Sequence, residues 1–72
     1  MKKLQFPIES FSLSLEMDGD RPRKVWVPSH WDNLLQDKVL KEIEKLTGFK
    51  VSIAFVDFDD CDYWIWNLYS HV

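Results

Sequence analysis

Hydrophobic and polar residues alternate strictly from Ser10 to Met17, with apolar side chains at the odd-numbered positions. This period of two predicts a half-buried β-strand over residues 10–17, with one dry and one wet face. The alternation extends backwards through Leu4, Phe6 and Ile8, but Pro7 favours an edge or a bulge there. The start of the strand is therefore left open.

The next segment has the composition of a hairpin. Asp18 and Gly19 supply the positive backbone φ of a tight turn, and Pro22 cannot lie inside a central strand. We therefore predict a return strand over residues 23–27, closed by Pro28.

A helix is predicted over residues 31–46. Ser29 and Asp32 have the spacing of a capping box, and Asp32 is an alternative N-cap. At 100° per residue one face of the helix is apolar. Its members are Trp31, Leu35, Val39, Ile43 and Leu46. Gly48 is suited to end the helix in the left-handed conformation.

Two further strands are predicted over residues 49–58 and 63–69, joined by an acidic turn. Both segments are rich in β-branched and aromatic residues. The expected fold is a single α+β domain over residues 1–72, ordered β-β-α-β-β. Its four-stranded antiparallel sheet carries the helix on one face, because one helix covers only one face of such a sheet.

The last two strands are apolar on both faces, so something should cover the second face of the sheet. Either the segment Leu4–Ile8 or the chain end folds across it, or an exposed aromatic patch binds another protein or a second copy. We assign Trp64 and Trp66 to the core because the indoles have the larger apolar area. Tyr63, Ile65 and Tyr69 then face outward as candidate protein-binding residues.

Charge is distributed unevenly. Nine basic and twelve acidic residues give a net charge of −3, and no Lys or Arg occurs from Val51 onwards. The acidic residues there are Asp57, Asp59, Asp60 and Asp62. They suit a solvated turn or a contact for a basic partner surface. Their spacing does not match a calcium loop, so no metal or other cofactor is expected.

Other chemistry has weak support. The single cysteine, Cys61, lies between two aspartates that disfavour a reactive thiolate, and His30 and His71 are the only histidines, so no enzyme is expected. A lone cysteine and the lack of an apolar leader or a span of about 20 apolar residues favour a cytoplasmic protein away from membranes. A basic hairpin is an alternative single-strand nucleic-acid site. It comprises Arg21, Arg23, Lys24 and Trp26.

The sequence therefore favours a small non-enzymatic protein-binding module. By analogy of size and acidity alone, it suggests an inhibitor from a phage or mobile element, of the anti-CRISPR type, that blocks a host protein or nucleoprotein complex. A homodimeric accessory subunit joined through the aromatic sheet face is the alternative, followed by a nucleic-acid-binding accessory protein. No family motif is recognised in the chain.

Overall fold

The computed structural model describes residues 2–31, 35–59 and 62–71 of the chain. It is an α+β fold with five strands and one helix. These are β1 (Lys2–Ile8), β2 (Phe11–Asp18), β3 (Arg21–Pro28), α1 (Gln36–Thr47), β4 (Lys50–Asp59) and β5 (Tyr63–His71). All neighbours pair antiparallel in the order β1-β2-β3-β5-β4. Within the described residues, no helix is long and apolar enough to cross a membrane.

The segment before the first predicted strand is a separate strand, so the prediction of four strands was wrong. β1 pairs with β2 along its whole length through a tight reversal at Glu9 and Ser10, and Glu9 has a positive φ of 55°. Pro7 is accommodated because β1 is an outer strand, where a missing N–H breaks no ladder. Phe6 and Ile8 face the core, so this segment widens the sheet instead of covering its second face.

The hydrophobic core lies between α1 and one face of the sheet, which we call the helix face. Every strand contributes to it, and α1 adds Val39 and Ile43, both fully buried. Its strand members are Phe6, Ile8, Leu13, Leu15, Met17, Val25, Val27, Val51 and Trp66. The sheet face opposite α1 is called the open face.

The helix begins five residues later than predicted, at Gln36, and ends at Thr47. Leu35 occupies the N-cap position without a side-chain hydrogen bond, so the capping box at Ser29 was wrong, and Asp32 lies outside the described residues. Trp31 precedes the helix and packs against the core, with its ring 5.1 Å from that of Phe11. Leu46, expected in the apolar stripe, is exposed, whereas Leu40 packs on the core.

A β-bulge at Ala54 reverses the alternation of side chains in the second half of β4. Ile53 lies opposite Leu68, and the pairing resumes with Phe55 opposite Asn67. Val56 and Phe58 therefore lie opposite the tryptophans of β5, on the helix face. Phe55 turns to the open face, although uninterrupted alternation had grouped it with Val51 and Ile53.

The tryptophans of β5 occupy the helix face, as predicted. Trp66 is buried and Trp64 packs partly buried against the core. Tyr63, Ile65 and Tyr69 consequently lie on the open face.

Candidate functional site

The outer half of β4 is the most exposed apolar segment among the described residues. All six residues from Ala54 to Asp59 are exposed. Phe55 is 58% exposed, Val56 42% and Phe58 71%. β4 is also the last strand of the sheet, so its outer backbone groups have no neighbouring strand within the described chain. We call residues 54–59 the β4 edge.

The two outer strands of the sheet differ in how they deter pairing with another chain. β1 carries Lys2, Lys3 and Pro7, all exposed, and lysine and proline are residues that block edge pairing. The β4 edge has neither residue type, and its charges are Asp57 and Asp59. β4 is therefore the more accessible edge for an added strand.

The β4 edge is apolar on both faces of the sheet because of the bulge. Phe58 stacks edge-on against Trp64 on the helix face, with ring centroids 6.0 Å apart. Phe55 stands on the open face, next to Asn67 of β5. An added strand could therefore bury apolar side chains against both sides of the sheet.

The open face carries the aromatic residues that the sequence singled out. Trp26 lies opposite Ile65, and Pro28 lies opposite Tyr63. The Lys3 ammonium stands 4.3 Å from the Trp26 ring centroid, a cation–π contact. A shallow depression of about 240 Å³ lies beside this contact; Lys3, Ser12, Ser14, Trp26, Asp59 and Tyr63 line it. Tyr69 stands at the other end of β5 and does not join this group.

The acidic residues do not form one cluster. Asp57 accepts a hydrogen bond of 3.1 Å from the Nδ2 of Asn67, a buried side chain on the open face. Asp59 lines the depression, and the backbone carbonyl of Asp62 accepts a 2.9 Å hydrogen bond from the Ser29 amide. Asp60 lies outside the described residues. Two of the four aspartates, Asp57 and Asp59, are thus open-face residues of the β4 edge.

The residues of the basic hairpin point to different neighbours. Arg21 stands 5.8 Å from the ring centroid of Phe49, and the Trp26 ring is occupied by Lys3. Lys24 pairs across the strands with Glu16 and Asn67. Arg23 falls at the irregularity between β2 and β3, where the register shifts by one residue. The cations are therefore spread along β3 around a covered indole.

No cluster of three metal-binding side chains occurs within the described residues. The two histidines are far apart in the fold: the ring of His30 lies 5.9 Å from that of Phe11, and that of His71 lies 5.9 Å from that of Tyr69. Cys61 lies outside the described residues.

Sequence reasoning did not select Phe55, Val56 and Phe58 as candidate functional residues. The signal was present, because the segment from Val51 to Phe58 is apolar on both faces and lacks Lys, Arg and Pro. What the pattern could not show is that β4 lies at the edge of the sheet, with β5 between it and β3.

Comparison of the chain with known protein families, characterised proteins and solved structures finds no match.

Proposed function

We propose that the protein is a binding module that docks an extended polypeptide strand along the β4 edge. The observation that carries the proposal is the exposure of Phe55, Val56 and Phe58 on the part of an outer strand, residues 54–59, that has no lysine or proline. Contiguous exposed apolar area of this kind marks protein contact sites.

Strand addition explains how this edge can bind. An added strand would pair with the outer N–H and C=O groups of β4, and its alternating side chains would contact both faces. The apolar residues of the β4 edge would then be buried, and a fully buried side chain of this size contributes about 1.5–3 kcal/mol. Because three such residues lie within four positions, a short segment suffices for recognition.

The open face supplies the flanking surface. Asp57 and Asp59 place negative charge on the β4 edge itself, which favours a strand that carries a basic residue. Tyr63, Ile65 and Tyr69 provide amphipathic aromatic and aliphatic area on the neighbouring strand. The inhibition of a host protein or nucleoprotein complex stays a prediction from size and acidity.

Site-specific photocrosslinking tests the proposal in the cells that naturally produce the protein. A photoreactive phenylalanine analogue replaces Phe58 in one variant and Leu46 in the control, since Leu46 is an exposed apolar residue on the helix. We expect polypeptide adducts from position 58 and none from position 46. The additional substitution Val56→Lys should abolish the adducts.

An absence of adducts at position 58, or equal adducts at both positions, would contradict the proposal. Mass spectrometry identifies the crosslinked peptide and so distinguishes another protein from a second copy of the chain.

A further inference from the structure

The whole of β4 is complementary to a second copy of itself. We infer that the occupant of this edge is a second copy of the chain, whose β4 pairs antiparallel with the first to form one continuous ten-stranded sheet. The inference rests on the proposed function and names its partner. It follows from the bulge, from the direction of the backbone groups and from the charges at the two ends of the strand.

Side chains fix which registers are allowed. Opposed residues in a sheet share a face, so helix-face positions must meet helix-face positions. Val51 and Ile53 before the bulge, and Val56 and Phe58 after it, all lie on the helix face. In the symmetric register that overlaps all of β4, the four pairs outside the bulge meet this condition. They are Lys50 with Asp59, Val51 with Phe58, Ser52 with Asp57 and Ile53 with Val56, and the bulge residues Ala54 and Phe55 lie opposite each other at the centre.

Backbone directions agree with the same register. The Val51 N–H points away from β5, since its hydrogen bond of 3.2 Å is accepted by the Glu44 carboxylate. The direction of the backbone N–H and C=O groups alternates along a strand in step with the side chains. The residues of β4 whose side chains lie on the helix face therefore direct their N–H and C=O groups outward, away from β5, as Val51 does. The pairs Val51–Phe58 and Ile53–Val56 therefore bring outward-directed groups together. On dimerisation the Val51 N–H exchanges its hydrogen bond to the Glu44 carboxylate for one to the Phe58 carbonyl of the second copy.

Charge selects this register among the face-matched ones. Lys50 is the only basic residue of β4, and Asp59 is its last residue. Full overlap places them opposite each other at both ends of the interface, whereas no aspartate faces another. In another face-matched register, residues 55–59 of the two copies lie opposite each other with Asp57 at the centre. That register would place the two Asp57 carboxylates directly opposite each other. The full register also covers Phe58 with the Val51 end of the second copy, where Glu44 of α1 contacts β4.

A charge exchange tests the register. Lys50→Asp creates two Asp–Asp pairs in its own dimer, and Asp59→Lys creates two Lys–Lys pairs. Each variant alone should dimerise about tenfold more weakly than the natural chain or worse, because like charges directly opposed are destabilising. An equimolar mixture of the two variants restores both opposite-charge pairs, so it should form a heterodimer. Both residues are exposed, so neither change should disturb the fold.

Sedimentation velocity over a concentration series reaching about 1 mM measures these associations, and circular dichroism confirms folding. Asp57→Lys is the matched control, since it makes the same charge change opposite Ser52 and should not rescue Lys50→Asp. A monomeric natural chain at all concentrations, a dimer insensitive to both reversals, or a mixture that stays monomeric would each overturn the inference. Crosslinks from position 58 to a different protein would overturn it as well, while leaving the proposed function intact.

Discussion

Trp66 lies at the centre of the helix face, between Val25 of β3 and Val56 of β4. Only 7% of its surface is exposed, although β4 beside it is open to solvent. A domain of 72 residues has a small core, so one indole supplies a large part of its buried apolar area. The tyrosines on the open face are exposed, so they contribute less to stability.

Replacement of Trp66 by alanine should destabilise the fold by about 3–5 kcal/mol, since it removes a buried indole and leaves a cavity. Tyr69→Ala is the matched control on the same strand; Tyr69 is 63% exposed and should change stability by about 0.5 kcal/mol or less. Urea denaturation followed by circular dichroism measures both. Equal losses in the two variants would contradict the assignment of the sheet faces.

The hydrogen bond between Asn67 and Asp57 also contributes to the stability of the fold. Asn67 is a buried polar side chain, and its amide donates to the Asp57 carboxylate. Asp57→Ala should cost about 1 kcal/mol because the amide loses its partner. A double-mutant cycle with Asn67→Ala should give a coupling energy of about 0.5–1.5 kcal/mol. A coupling energy near zero would show that the pair adds nothing to stability.

At the level of elements, the last four strands were predictable to within two residues, and the first strand was not. β2 and β3 flank an Asp-Gly turn, and their bounds differ from prediction by at most two residues. β1 was left open because Pro7 argues against a central strand, and only the edge position makes it acceptable. The predicted helix start was wrong because Ser29 and Asp32 have the spacing of a capping box without being at the start of the helix. Trp31 lies before the helix and packs against the core.

The bulge in β4 shows why the candidate site could be predicted only in part. Counting by twos places Phe55 with Val51, and one extra residue at Ala54 reverses that assignment. The sequence contains both apolar sets, so it indicated a strand with two dry faces. It contained no signal for the position of the extra residue, because alanine fits either face.

The end of α1 offers a test of an element boundary. Gly48 has a φ of 80° and its N–H donates to the Glu44 carbonyl, with no atom within 4 Å of where a Cβ would lie. Gly48→Ala should therefore cost about 1 kcal/mol through backbone strain alone. Gly48→Asn should cost less, since asparagine tolerates the left-handed region. Thermal denaturation of both variants checks this, and an unchanged alanine variant would contradict the left-handed C-cap.

At the level of the whole molecule, one outer strand of the sheet is protected against pairing with another strand and the other outer strand is accessible to it. Lysine and proline protect β1, whereas apolar side chains and aspartates lie along β4. Two of the four aspartates after Val51, Asp57 and Asp59, therefore lie along β4. A basic segment, or the single lysine of a second β4, meets that charge at the same edge.

Glu44 connects the helix to this edge and should regulate how readily it pairs. Its carboxylate accepts the outward Val51 N–H in the single chain, and pairing with another strand must displace it. Glu44→Ala removes that competitor, so association should strengthen severalfold while the stability of the monomer falls by about 0.5–1.5 kcal/mol from the lost hydrogen bond. Glu42→Ala is the control, because Glu42 pairs with Lys45 on the helix at 3.7 Å. Sedimentation at matched concentrations measures the association, and a weaker association of Glu44→Ala would show that Glu44 does not compete for the edge.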